Sequence, residues 1–186
     1  MNAGLILVDI QNDYFAGGRM ELIGMETAGK TAGQLLAYFR SNRRPIFHIQ
    51  HISNREGATF FLPDTRGSEI HDVVKPRSGE RVIQKHFPNS FRETPLLDEL
   101  RANGIEHVII CGAMSHMCID ATTRAAVDFG FACTVVHDAC ATRNLDFEKK
   151  KILAQEVHAA FMAALGSAYA QVISYREFVS KAKADE

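Results

Sequence analysis

Short runs of apolar residues recur along this chain, and several of them end in a polar or charged group. Gly4-Leu5-Ile6-Leu7-Val8 stops at Asp9, Pro45-Ile46-Phe47-His48-Ile49-Gln50-His51 ends in polar groups, and Arg81-Val82-Ile83-Gln84-Lys85 delivers an ammonium. His107-Val108-Ile109-Ile110-Cys111, Ala132-Cys133-Thr134-Val135-Val136-His137-Asp138 and Gln171-Val172-Ile173 complete the set. Continuous rather than alternating hydrophobicity marks strands covered on both faces. Helical stripes lie between them. One runs through Ala28, Ala32, Leu35, Leu36 and Phe39; a second opens at Thr94-Pro95, carries Leu96, Leu97 and Leu100, and closes at Gly104. A third takes Ala121, Ala125, Ala126 and Phe129 up to Gly130. The spacing predicts a fourth helix over Phe147 to Leu165, with its stripe at Ile152, Leu153, Val157, Phe161 and Ala164, and a short closing helix from Tyr175 to Lys181. Strands alternating with helices in this way imply an α/β fold: a three-layer α/β/α, Rossmann-like arrangement around one parallel, doubly wound sheet. At 186 residues and 46% hydrophobic, the chain suffices for one core, so a single domain over residues 1–186 is expected.

Charge excludes some functions. Lys plus Arg number 21 against 22 Asp plus Glu, so no net field is available to hold nucleic acid or an anionic membrane. Arg40-Arg43-Arg44 and Lys149-Lys150-Lys151 read as solvated helix surface. No run approaches the roughly 20 apolar residues of a membrane span, and no leader-like apolar segment opens the chain. Cys111, Cys118, Cys133 and Cys140 show neither CxxC nor Cys/His zinc spacing. A cytoplasmic protein in a reducing compartment is the expectation. Residues 52 to 80 lack periodicity and contain Gly57, Pro63, Gly67, Pro76 and Gly79; an excursion of that length over the carboxyl edge of a sheet is usually functional. Within it, Phe60-Phe61-Leu62-Pro63 could wall a pocket, cover a partner subunit or simply pack.

The stretch Gly112-Ala113-Met114-Ser115-His116-Met117-Cys118 reads as a strand end, a tight turn and a cysteine in the first turn of a helix. There, unpaired backbone N–H groups and the positive end of the dipole would lower the thiol pKa. A free cysteine is more often a small buried hydrophobe, and on this stretch alone both readings stand. In an open parallel sheet, ligands gather at the carboxyl ends of the strands, so Asp9, Lys85 and Cys118 could meet. Together they have a chemistry. Asp9 could take the thiol proton and return it to a leaving amine, Lys85 could hold the carboxylate, and turn amides could receive an oxyanion. Singly, Asp9 could as well cap a turn and Lys85 end a strand in solvent.

Three separated motifs, in order, are similar to those of the isochorismatase-like cysteine hydrolase family: Leu5 to Phe15 around Asp9, Gln84-Lys85-His86-Phe87-Pro88-Asn89-Ser90-Phe91, and Gly112 to Cys118 with Thr122, followed by His137-Asp138-Ala139. The resemblance covers nearly the whole chain. It implies a six-stranded parallel sheet of order 3-2-1-4-5-6, a catalytic triad of Asp9, Lys85 and Cys118, a cis peptide between Ala113 and Met114, and an oxyanion hole from the amides of Met114 and Cys118. It also implies a homodimer or homotetramer.

Subfamily departures narrow the expectation. Nicotinamidase-like members place an Asp-x-His metal motif after the second strand, where this chain reads Gln50-His51-Ile52-Ser53, so neither a metal nor another cofactor is expected. The isochorismatases proper lack the nucleophilic cysteine, which sets vinyl-ether hydrolysis behind cleavage of a C–N bond in a small amide, lactam or carbamoyl compound, nearest the streptothricin hydrolase-like branch. A non-catalytic binding or scaffold protein is the alternative of another class. Asn12, Phe15, His51, Leu62, His86 and Phe91 are the substrate-pocket candidates.

Overall fold

The computed structural model describes residues 2–184. Strand β1 (Ala3–Val8) is buried at every position and occupies the middle of the sheet. Helix α1 (Met25–Ser41) leads from it to β2 (Ile46–His51), and the excursion leads on to β3 (Arg81–Lys85). Helix α2 (Leu96–Ala102) returns the chain to β4 (His107–Ala113), and helix α3 (Asp120–Asp128) to β5 (Ala132–Ala141). A small antiparallel pair, β6 (Leu145–Phe147) and β7 (Lys150–Ile152), precedes α4 (Ala154–Ala168), β8 (Gln171–Ile173) and α5 (Tyr175–Ala184). All pairings in the main sheet are parallel and its order is β3-β2-β1-β4-β5-β8. With β8 as the sixth strand of the sheet, this is the implied order.

The order reverses direction between β1 and β4, and right-handed crossovers then send α1 to one face and α2, α3 and α4 to the other. Helix α5 joins α1, where Phe178 stacks on Phe39 at 6.1 Å. All five residues of the stripe read from α1, Ala28 to Phe39, are buried. The α2 termini follow their signals, with Thr94 Oγ1 accepting from Leu96 N and Gly104 at a φ of +62°.

One helix begins later than the spacing predicts. Residues 145–152 form the hairpin instead, turning through Glu148 at a φ of +53°. The start of α4 is fixed by side chains: Asn144 Oδ1 accepts from Ala154 N and Glu156 reaches back to Leu153 N. These caps outweigh the helical spacing of Ile152 and Leu153. Consequently the buried positions are Ala154, Val157, Met162 and Leu165, while Leu153 is half exposed. No helix among the described residues is long and apolar enough to cross a membrane.

Candidate active site

Asp9 follows β1 at a φ of +51°, Lys85 closes β3, and Cys118 lies in a π-helical turn, Ser115–Ile119, between β4 and α3. The switch in strand order brings these three ends to one place. Gly112, at a φ of +126°, is the residue that lets β4 pass β1 there; a Cβ on it would collide with the Val8 carbonyl. The Ala113–Met114 peptide that follows is cis.

Lys85 is the hub. Its Nζ stands 2.7 Å from Asp9 Oδ2, 3.2 Å from Cys118 Sγ and 3.1 Å from His51 Nδ1, and it donates to the carbonyl of Phe87 at 3.0 Å. Asp9 and Lys85 are both fully buried. The Asp9 contact is an ion pair rather than a directed hydrogen bond, and Asp9 Oδ1 has no protein partner. Burial by itself would lower the Lys85 pKa, but the Asp9 carboxylate and Cys118 reverse this and hold it raised. For Cys118 the outcome is opposite to that expected of a helix first turn. Burial pushes the thiol up, Asp9 adds to the effect, and Lys85 opposes it without prevailing. The resting state is therefore a neutral thiol beside an ion pair. His51 is depressed to about 4, chiefly by burial, and stays neutral. Because an ammonium donates to its Nδ1, hydrogen-bond logic puts the imidazole proton on Nε2.

Asp9, His51 and Cys118 offer ligand atoms within 4.8 Å of one another, a separation that could suit a metal ion. The Lys85 ammonium touches all three, so a cation already stands among these donors. The donor set does not fit a metal as well.

A cavity of about 320 Å³ opens on Cys118. Of the pocket candidates, His51 and His86 line it. Asn12 and Phe15 face a separate depression, where Phe15 stacks on His71 at 3.6 Å. Phe91 packs against Phe129 and Phe131 instead, and Leu62 lies outside the lining. Phe60, from the cluster read as a possible pocket wall, does line it; the lining residues that sequence reading missed are Tyr14, Ser53, Asn54, Arg55, Phe87, Pro88, Met114 as a wall, and Met117. Most of their signals were adjacent: Tyr14 precedes Phe15, Phe87-Pro88 follows Lys85, and Met117 precedes Cys118. Of the aromatic pair in the excursion, Phe60 walls the cavity while buried Phe61 packs on Tyr14 at 4.5 Å.

Hydrogen bonds fix the walls. Gln11 accepts from His51 N and donates to the carbonyls of His51 and Ser68, clamping the excursion to β2. Asp13 accepts from Phe61 N at 2.6 Å, and Gly67 has no room for a side chain against that carboxylate. Ser90 N donates to Thr122 Oγ1, pinning the segment after Lys85 to α3. The Cys118 turn is tied by Ser115 Oγ to His158 Nδ1 at 2.9 Å and by His116 Nδ1 to Thr142 Oγ1 at 2.6 Å.

A family model described as "Isochorismatase domain" matches residues 3–174. The chain is 49% identical over 179 residues to an uncharacterized isochorismatase family protein, YddQ, of Bacillus subtilis (strain 168), spanning 96% of this chain and 99% of that one. It is 33% identical over 141 residues to a streptothricin hydrolase of Streptomyces noursei, taking in 76% of this chain and 50% of the hydrolase. The crystal structure of an isochorismatase from Pseudomonas putida KT2440 superposes with a TM-score of 0.89 at 36% identity, covering 95% of this chain and 89% of the other.

Proposed function

The chain belongs to the isochorismatase family of hydrolases, and from that premise we propose that it is a metal-independent cysteine hydrolase opening a C–N bond of a small amide, lactam or carbamoyl compound through a thioester on Cys118. The observation that carries this reading is the contact of one buried ammonium with both the Asp9 carboxylate and the Cys118 sulfur at the floor of a cavity. Similarity to a streptothricin hydrolase supports the hydrolytic class.

In this mechanism the thiol is activated as it attacks. The S–C bond forms while the S–H proton passes to Asp9, and the carbonyl π electrons move onto oxygen, where the Met114 and Cys118 N–H groups receive the charge. The C–N bond then breaks, Asp9 returns the proton to nitrogen, and the amine departs, leaving the thioester. Water attacks next, giving its proton to Asp9; the C–S bond breaks, the acid leaves, and the proton returns to sulfur. Lys85 holds Asp9 in place at 2.7 Å and stabilises each anionic stage. A raised thiol pKa suits this sequence, which needs a neighbouring base and no standing thiolate. Vinyl-ether hydrolysis would leave the thiol idle.

Acid-quenched intact-mass spectrometry with a small aromatic amide tests the reading. An acyl adduct on Cys118 and loss of turnover in a folded Cys118→Ser variant are expected. Unchanged amide hydrolysis in Cys118→Ala would overturn it. Assembly as a homodimer or homotetramer and a cytoplasmic location belong to the same proposal, and light scattering on the pure protein reads the first.

A further inference from the structure

The cavity above Cys118 is asymmetric in polarity. Phe60, Phe87, Pro88, Met114 and Met117 give it apolar walls, whereas Asn54 and Arg55, following buried Ser53, form a polar strip at the exposed rim. Arg55 is the one permanently charged residue among the lining side chains. Four arginines have carboxylate partners, Arg40 with Glu80, Arg81 with Glu99, Arg92 with Glu93 and Arg124 with Asp120, and the others, all outside the cavity lining except Arg55, have none among the described residues. Among the described residues Arg55 has no ion pair.

Its position is constrained by the backbone. Ser53 N donates to the Phe61 carbonyl at 2.9 Å, closing the loop at its base, and Ala58 N donates to the Arg55 carbonyl at 3.3 Å, closing the turn that carries the side chain. The guanidinium also acts on the interior: after burial, Lys85 and His86, its charge helps to depress His51 at the cavity floor. An unmatched guanidinium over an apolar enclosure is a receptor for a planar anion, whose two oxygens match the guanidinium fork. A single cation fits a carboxylate better than a phosphate dianion. The cavity volume, at the small end for ligand sites, limits the occupant to a small molecule.

Resting on the amide-hydrolase reading, we propose that the substrate is a small amide with an apolar body and a carboxylate remote from the scissile bond, and that Arg55 is the residue that reads this carboxylate. The same charge disfavours cationic amides of equal size.

Three probes of one shape separate these effects: benzamide, 4-carboxybenzamide and 4-(aminomethyl)benzamide, titrated calorimetrically into the full-length Cys118→Ser protein. At low salt the carboxylate probe should bind about fivefold more tightly than benzamide, the upper range for an exposed ion pair, and the cationic probe more weakly than either. The ratio of carboxylate to neutral affinity should fall toward one at high salt and in Arg55→Met, and be partly kept in Arg55→Lys. An unchanged ratio in Arg55→Met, equal affinities for all three probes, or no binding of any would overturn the proposal. Acyl-adduct detection with the parent protein and the same probes distinguishes its failure from that of the underlying reading. Adducts that form without regard to Arg55 sink the carboxylate assignment alone. Arg55-dependent binding that never acylates Cys118 sinks the cysteine-hydrolase reading alone.

Discussion

At Cys118 the Asp9 carboxylate disfavours the thiolate and the Lys85 ammonium favours it, on top of a burial that disfavours any charge. Asp9→Asn should therefore divide reactivity from catalysis. With the carboxylate gone, the thiol pKa falls and iodoacetamide labels Cys118 faster at neutral pH than in the parent. Amide hydrolysis falls by about 10²–10⁴-fold, because the proton acceptor is lost. Peptide mass spectrometry of labelled protein, beside a turnover assay, reads both; slower labelling of the variant would contradict the charge arrangement. Lys85→Met has a different signature. It leaves the Asp9 carboxylate fully buried without a counter-charge, which costs about 3–5 kcal/mol. Adding Asp9→Asn to it should recover much of that loss in urea unfolding, since a neutral pair needs no compensation.

The elements around the site are held by clasps that act through single side chains. Glu80, just before β3, accepts from Arg40 on α1 at 2.7 and 2.8 Å, from the Arg77 amide, and from His48 on β2 at 2.9 Å. Burial would raise the Glu80 carboxyl, but these donors prevail and hold it at about 2. A carboxyl depressed on folding contributes stability that is complete above its unfolded pKa, about 4.5, and drains away as pH falls toward 2. Glu80→Gln should cost about 2 kcal/mol near neutrality, with the gap to the parent narrowing through that acid window in pH-dependent urea melts. Local clasps of this kind were the part of the fold least visible in the sequence. Glu80 reads as one more exposed acid, and Asn144 gives no sign that it caps a helix ten residues later. The hairpin over 145–152 escaped for the same reason: Ile152 and Leu153 keep helical spacing with Val157, and only the capping side chains break it.

Over the whole molecule, the sheet was legible because apolar runs buried on both faces need no side-chain detail, and the ends of three strands announced Asp9, Lys85 and the cysteine turn. The cavity was not, since its walls come from segments far apart in sequence, among them Tyr14, Phe60 and Phe87, and their convergence depends on the Gln11 and Asp13 clamps. Architecture also sets a vulnerability. Strand β8 pairs with β5 through only Gln171, Val172 and Ile173, while α5 anchors it through Phe178 against Phe39 and Tyr38. Deleting residues 171–184 would bare the apolar edge Thr134-Val135-Val136, and soluble monodisperse protein should be lost to aggregates in size-exclusion chromatography. Chelation, by contrast, should leave activity unchanged. The positive charge among Asp9, His51 and Cys118 is an ammonium carried by the polypeptide, so it cannot be stripped, exchanged for a poisoning ion or rationed by the cell. Folding installs it along with the strand end that carries Lys85.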